Sequence, residues 1–442
     1  MSFTSYRDVL PSGLRVVTVE TPHLHTALLA IYVRTGSRHE TPANNGVSHF
    51  LEHLFFRGSE GWPDTVRMNA AVEEVGGNLN GVTTRDQGFY YTPLHPAHLR
   101  VGLDILGDML TRPRLTDMEV ERQIILEEML DEVDDKGRDI DLDNLSKRLL
   151  FPDHPLALKI AGTRESVTTL AHAQVLEHFA RHYVTGNLVV TAAGRVRRDE
   201  VLELTERAFA RLPRGPASTE APPPDALTGP RLHFVPHDES QTEFRLSFRT
   251  VPEQHDDHAA LQLIRRVLDD GLSSRLPFEI VEKRGLAYSV SAALDTYHDA
   301  GIFEFEAASA PEKASQVVTE ALRVLAALCD EEIGEEELGR AKRRHRMQLE
   351  FSQDSPSDLA GWFGGTELFR LPETFSHRAD LVDAQSAARV REVARRYFRR
   401  ENLTVVAVGQ RKGLKALERV VEEAPGLPGA PASKAAANGQ RG

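Results

Sequence analysis

Tyr183-Val184-Thr185-Gly186-Asn187-Leu188-Val189-Val190, running on to Gly194, has a second version near the other end of the chain. There the residues are Phe398-Arg399-Arg400-Glu401-Asn402-Leu403-Thr404-Val405, running on to Gly409. In both, an aromatic side chain stands four positions before the asparagine of an Asn-Leu pair, and a glycine follows that asparagine by seven. A helical segment containing Ala and Arg precedes each copy, Ala171–Arg181 and Ala387–Arg396. The copies lie about 215 residues apart in a chain of 442, close to half its length. Self-similarity at such a period points to a duplicated domain.

Outward from the first copy, residues 212–230 (LPRGPASTEAPPPDALTGP) hold six prolines and no hydrophobic period, the composition of a linker. Before it, Leu14–Val19, Ala27–Val33, Phe89–Thr92 and Leu188–Ala192 read as strands. Val47–Phe56, Thr65–Val75, Leu99–Leu110, Asp117–Glu132 and Val201–Arg211 read as helices. After it, Phe244–Phe248 and Ile302–Glu306 read as strands, and Ala259–Leu268, Ala314–Leu328 and Glu335–Phe351 as helices. Runs of helices between hairpins argue for an α+β fold and against a doubly wound sheet. The expectation is two duplicated domains, 1–211 and 231–423, each an antiparallel sheet with helices packed on it. The Ala/Pro/Gly-rich stretch 424–442 is expected to be a disordered tail.

The net charge of −13 argues against a general binder of nucleic acid or anionic membranes and permits a basic partner. Cys329 is the single cysteine, which excludes an intramolecular disulfide and any Cys-based zinc site. The first residues have neither a basic nor an apolar signal region, and Ala27–Val33 is too short to span a bilayer. A soluble, cytoplasmic protein is expected. Gly76-Gly77 is no phosphate loop, because no Gly-Lys-Ser/Thr follows.

The chemistry-bearing segment is His49-Phe50-Leu51-Glu52-His53. Positions i, i+3 and i+4 of a helix share a face, so both imidazoles and the carboxylate project together. Two neutral histidines one turn apart suit neighbouring corners of a zinc site, with the carboxylate between them as general base toward water on the metal. The pattern H-x-x-E-H is the inverted zincin motif. A third ligand is expected from Glu121-Arg122-Gln123-Ile124-Ile125-Leu126-Glu127-Glu128. Glu121 and Glu128, seven apart, fall nearly in line on a helix, with Ile124 and Ile125 supplying its packing. Glu128 then offers itself as the ligand, Glu121 as the acceptor that orients a ligand histidine, and Glu127, about 100° away, faces solvent. Taken alone, a solvated acidic stripe accounts for the same pair.

With these residues in hand, the chain resembles the pitrilysin, insulinase and mitochondrial-processing-peptidase family of zinc peptidases, in its half-length, two-domain form. The resemblance covers nearly the whole chain. It runs through Leu10–Val17, Gly36-Ser37-Arg38-His39-Glu40, Gly46-Val47-Ser48, Gly76–Thr84 and Tyr90-Tyr91, with Glu128 where the family keeps its third ligand. It implies two α+β domains facing each other, dimers enclosing a chamber for unfolded peptides, and one zinc ion per chain on His49, His53 and Glu128. It also implies that Glu52 takes the water proton and passes it to the leaving amine. Asn80 lies in the stretch that, in the family, pairs with the substrate backbone; a turn residue in a Gly-rich segment is the other reading.

One departure stands out. Active relatives carry an Arg seven residues before the tyrosine that is Tyr288 here, and the pair helps hold the substrate and the oxyanion. This chain has Val281 at that position. Tyr288 is therefore read either as catalytic or as a strand aromatic in the core. A zinc-bearing chain lacking its Arg points to a heterodimer whose homologous partner supplies it, with Lys283 and Arg284 as local alternatives. The expected activity is that of a zinc endopeptidase on short or unfolded polypeptides. The alternative is a noncatalytic peptide-binding or scaffold subunit that retains zinc. Residues 117–143 hold 12 acidic and 3 basic residues, and Asp131, Glu132, Asp134 and Asp135 are expected either to favour basic peptides or to form a solvated face.

Overall fold

The computed structural model describes residues 3–224, 229–371 and 374–429. Its eleven strands are β1 Thr4–Val9, β2 Arg15–Glu20, β3 Ala27–Val33, β4 Asn80–Thr83, β5 Gly88–Leu94, β6 Leu188–Gly194, β7 Arg231–Pro236, β8 Thr242–Thr250, β9 Val290–Thr296, β10 Gly301–Ser309 and β11 Leu403–Gly409. They form a six-stranded sheet in the order β1-β2-β6-β3-β5-β4 and a five-stranded sheet in the order β7-β11-β8-β10-β9. The second repeats the first strand for strand, in chain order and in spatial order, lacking only the outer strand β1. The fold class is α+β, as expected, with one difference. The sheets are mixed, because β2–β6 and β7–β11 run parallel. β6 and β11 return after long excursions and insert beside a central strand, so no hairpin sets their direction.

The two asparagines that mark the repeat have the same task in each copy. Asn187 donates from Nδ2 to the carbonyls of Arg34 (2.9 Å) and His182 (2.8 Å). Asn402 donates to those of Arg249 (2.9 Å) and Tyr397 (2.8 Å). Each ties the end of the preceding helix, His172–His182 or Ala387–Tyr397, to the neighbouring strand just before its own strand starts.

The chain forms two compact units. Of the described residues, the first comprises 3–130, 154–221 and 349–371, the second 131–153, 222–224, 229–348 and 374–429. Each half of the chain therefore lends a helix to the other half's sheet. In the first unit, helix Pro356–Leu368 lies on β2, β3 and β6. In the second, helix Leu142–Leu150 lies on β8 and β11, with Leu145 packed against Val235, Val406 and Val408. Covered on both faces, β3 and β6 are buried at every residue, which is why they read as unbroken apolar runs.

Within the first unit, residues 213–221 of the Pro-rich segment are held by specific bonds. Thr185 N donates to Pro213 O (2.9 Å), Ser218 N to Asn187 Oδ1 (2.8 Å), and Arg34 Nε to Glu220 Oε1 (2.9 Å). At the far end, Ala424 and Leu427 are buried in the second unit's core, and Pro428 O accepts from Arg400 N (3.0 Å). Residues 430–442 of the expected tail lie outside the described residues. No helix among the described residues is long and apolar enough to cross a membrane.

Candidate metal centre

Helix Val47–Phe55 buries Val47, Phe50, Leu51, Leu54 and Phe55, which turns His49, Glu52 and His53 to the opposite side. It packs on helix His172–His182 and on helix Met118–Glu128. The latter buries Glu121, Arg122 and Ile125, whereas Ile124, expected to help pack it, is 43% exposed. One residue from Ile125 means about 100° around the helix, which carries Ile124 out of the buried stripe. The Arg122 guanidinium fixes the helix pair: it donates to the carbonyls of Val167 and Leu170 (3.0 Å to the latter) and lies 5.6 Å from the Phe50 ring centroid.

This packing brings the three expected ligand side chains together. His49 Nε2 lies 3.8 Å from Glu128 Oε1, and His53 Nε2 lies 3.5 Å from Glu128 Oε2. One ligand atom from each falls within 4.8 Å of the others, the only such group of three or more His, Cys, Asp and Glu among the described residues. The side chains are 11%, 20% and 53% exposed for His49, His53 and Glu128, so the cluster opens to solvent on its Glu128 side. Glu121 is buried, and its carboxylate accepts from His53 Nδ1 (2.9 Å) and from Arg57 Nε. That bond keeps a proton on Nδ1 and turns Nε2 toward Glu128.

Electrostatics suit a cation here. Burial and the neighbouring His53 hold His49 down at about 4, a neutral imidazole near pH 7. Burial also works to lower His53, but hydrogen bonds to Glu128 and Glu121 outweigh it and the balance is upward. The hydrogen bond from His53 holds Glu128 below the ordinary carboxylate range, against the effect of its burial. Glu52 is pushed up by burial, although the Thr83 hydroxyl donates to its Oε2. Two imidazoles and a carboxylate, one imidazole with its tautomer fixed, are the donor set of a catalytic zinc site with a position left over. The residues fit the ion.

Gly81 lies in edge strand β4 directly over Glu52. A Cβ there would stand 3.0 Å from Glu52 Cγ and 2.9 Å from Phe56 Cε2. Asn80 opens that strand opposite Tyr91, so it is not a turn residue. Tyr288 belongs to the second unit and is 91% exposed, which removes the reading as a core aromatic. Val281 is half-buried, and Lys283 and Arg284 both pair with Glu279, Lys283 at 3.1 Å. Thr83, Gly81 and Arg57 are the neighbours of Glu52 and Glu121 that sequence reasoning did not single out. The two-residue spacing of Gly81 and Thr83 on one strand was the available signal for the first two.

Residues 15–164 match the family described as Insulinase (Peptidase family M16), and residues 169–344 match the Peptidase M16 inactive domain. The chain belongs to the M16 peptidase family. Its helix 47–55 motif falls in the first of these regions, and the second half carries no copy of it. An uncharacterized zinc protease of Mycobacterium tuberculosis is 34% identical over 400 residues, covering 89% of this chain and 91% of that one. The mitochondrial-processing peptidase subunit beta of Blastocladiella emersonii is 30% identical over 426 residues, covering 93% and 90%. A protease from Helicobacter pylori has the same fold, with a TM-score of 0.86 at 23% identity over 92% of this chain and 100% of that one.

Proposed function

We propose that this M16 member is a zinc-dependent endopeptidase for short or unfolded polypeptides. The observation that carries the reading is the convergence of His49, His53 and Glu128 beside Glu52, a carboxylate that a purely structural metal site does not need. Zinc held by His49, His53 and Glu128 would supply Lewis acidity toward water and the scissile carbonyl. Glu52 accepts the proton of the attacking water at its carboxylate and returns it to the leaving amine. Its burial raises its basicity for that task, and the Thr83 hydroxyl keeps it in place. The unpaired edge of β4, starting at Asn80, receives the substrate as an added strand, which gives affinity with little demand on side chains.

Tyr288, exposed in the second unit, is assigned a substrate-contacting role, and Val281 leaves it without the arginine that accompanies it in active relatives. The chain is accordingly the zinc-bearing member of a dimer, with a homologous chain supplying that arginine; the relative named as a processing-peptidase subunit supports this. Within the acidic stretch, Asp134 is occupied by Arg138, and Asp143 by Lys147 and Arg245. The exposed Asp131 and Asp135 remain to favour basic peptides. The test is cleavage of a peptide library by the chain alone and with copurifying chains. Cleavage removed by a chelator, restored by zinc and enriched at Arg/Lys-containing peptides is expected. No metal-dependent cleavage in any combination would leave the scaffold reading in its place.

A further inference from the structure

His53 and His49 are held in different ways. His53 has Glu121 at its Nδ1, whereas His49 Nδ1 is buried with no hydrogen-bond partner among the described residues. The ring of His49 therefore meets a polar neighbour only at Nε2, on the Glu128 side, and nothing polar steadies its Nδ1 side, so its position leans on the backbone that carries it. His49 is the third residue of helix Val47–Phe55, in the turn whose N–H groups have no partner within a helix.

Glu40 meets one of those groups, Ser48 N, together with the N–H of Gly46, which precedes the helix. Its carboxylate is buried; Oε2 accepts from Gly46 N (2.7 Å) and Asn45 Nδ2 (2.8 Å), and Oε1 accepts from Ser48 N (2.8 Å). Among the described residues it forms no ion pair; burial pushes its carboxyl up, while the N–H donors of Asn45, Ser48 and Gly46 and the positive end of the helix favour its charged form. The duplicated half shows the contrast. There the first helix after β8, His258–Leu268, starts beside Asp257, also buried, but Asp257 is bound by Arg396 (2.6 Å), Tyr397 (2.6 Å) and Arg389. The half without the zinc motif anchors its carboxylate on cations. The half with it devotes a carboxylate to the backbone one residue from a metal ligand.

We propose that Glu40 is the positioning residue for His49, doing through the first turn of the motif helix what Glu121 does for His53 directly. The inference rests on the metal reading of His49, His53 and Glu128. The test uses the full chain, with zinc affinity measured by competition with a chromophoric chelator and site geometry read from the visible spectrum of the Co2+-substituted protein. Glu40→Gln keeps the length and loses the charge; Glu40→Asp keeps the charge and loses the reach, and decides the matter if Glu40→Gln does not fold. Both are expected to weaken zinc about tenfold or more, the range of an orienting partner, and to alter the cobalt spectrum. Asp257→Asn is expected to lower the melting temperature while leaving zinc affinity unchanged. Wild-type affinity in Glu40→Asp, or an equal loss in Asp257→Asn, overturns the inference alone. A wild-type chain that binds no zinc, or a His53→Ala variant that binds it unimpaired, overturns the metal reading and this inference with it.

Discussion

Gly81→Ala tests the placement of the proposed base without touching a ligand. The new Cβ would lie 2.9 Å from Phe56 Cε2, 3.0 Å from Glu52 Cγ and 3.1 Å from Glu52 Oε1, where ordinary carbon contacts are about 3.5–4.0 Å. Gly81 has no left-handed φ, so alanine brings no backbone strain and only the contact changes. To restore normal separation Glu52 has to recede by about 0.5 Å. A misplacement of about 1 Å costs about a hundredfold in rate, so half that distance predicts a loss of about tenfold in kcat, near 1.4 kcal/mol. The assay is steady-state cleavage of an internally quenched peptide, with zinc content and melting temperature measured on the same sample. The expected result is a fall in kcat with KM, zinc content and melting temperature close to wild type. An unchanged kcat, or a loss that tracks zinc loss, refutes the assignment of Glu52 or its contact with β4.

Three further outcomes are expected. Glu121→Gln weakens zinc about tenfold, because a neutral amide is a poorer acceptor for His53 Nδ1–H and leaves Arg57 without its carboxylate; chelator competition reads it. Lys147 is fully buried, 2.9 Å from Glu304, 3.1 Å from Asp143 and 3.2 Å from Asp295, so Lys147→Met costs about 3 kcal/mol in denaturant unfolding, the low end for a broken buried pair because Arg245 still faces Glu304. Burial opposes the charge on Lys147, yet Tyr297 and the three carboxylates raise its pKa on balance; the stability it adds is full below about pH 10.4, the unfolded lysine value, and fades as pH rises through the folded value, a dependence absent in the variant. Gly364→Ala drives a Cβ into the Tyr32 ring at Cε2 and to 2.7 Å from Thr191 Oγ1, and the overpacking lowers stability by about 1–3 kcal/mol in the same measurement.

Part of the fold is written locally in the chain. Ala27–Val33 is a strand with the bounds read from its apolar run, and the Asn-Leu repeat announced the duplication because Asn187 and Asn402 make the same pair of bonds. The His49-x-x-Glu52-His53 pattern is legible because i, i+3, i+4 geometry is local to one helix, whereas the seven-residue alignment of Glu121 with Glu128 left an acidic stripe equally open and the family resemblance singled out Glu128. What stayed hidden depends on partners distant in sequence. Residues 356–368 contain three glycines, poor helix formers, yet form a helix, and the missing side chain of Gly364 lets it sit close on Tyr32 of β3 and Thr191 of β6. The parallel pairing of β2 with β6 joins residues more than 150 positions apart, beyond any local pattern. Glu40 is hidden for another reason: its partners Asn45, Gly46 and Ser48 are near in sequence, but no regular period ties a loop carboxylate to the N–H groups of a helix start.

The central claim is that Glu52 moves the proton at a zinc site built from His49, His53 and Glu128. The most direct measurement is peptide cleavage by Glu52→Gln prepared with its zinc content determined, beside the wild-type chain under the conditions in which that chain is active. The prediction is one zinc per chain in both proteins and a fall in kcat of about 10²–10⁴-fold in the variant, the usual worth of a positioned general base. A zinc-loaded Glu52→Gln chain that cleaves at the wild-type rate would contradict it.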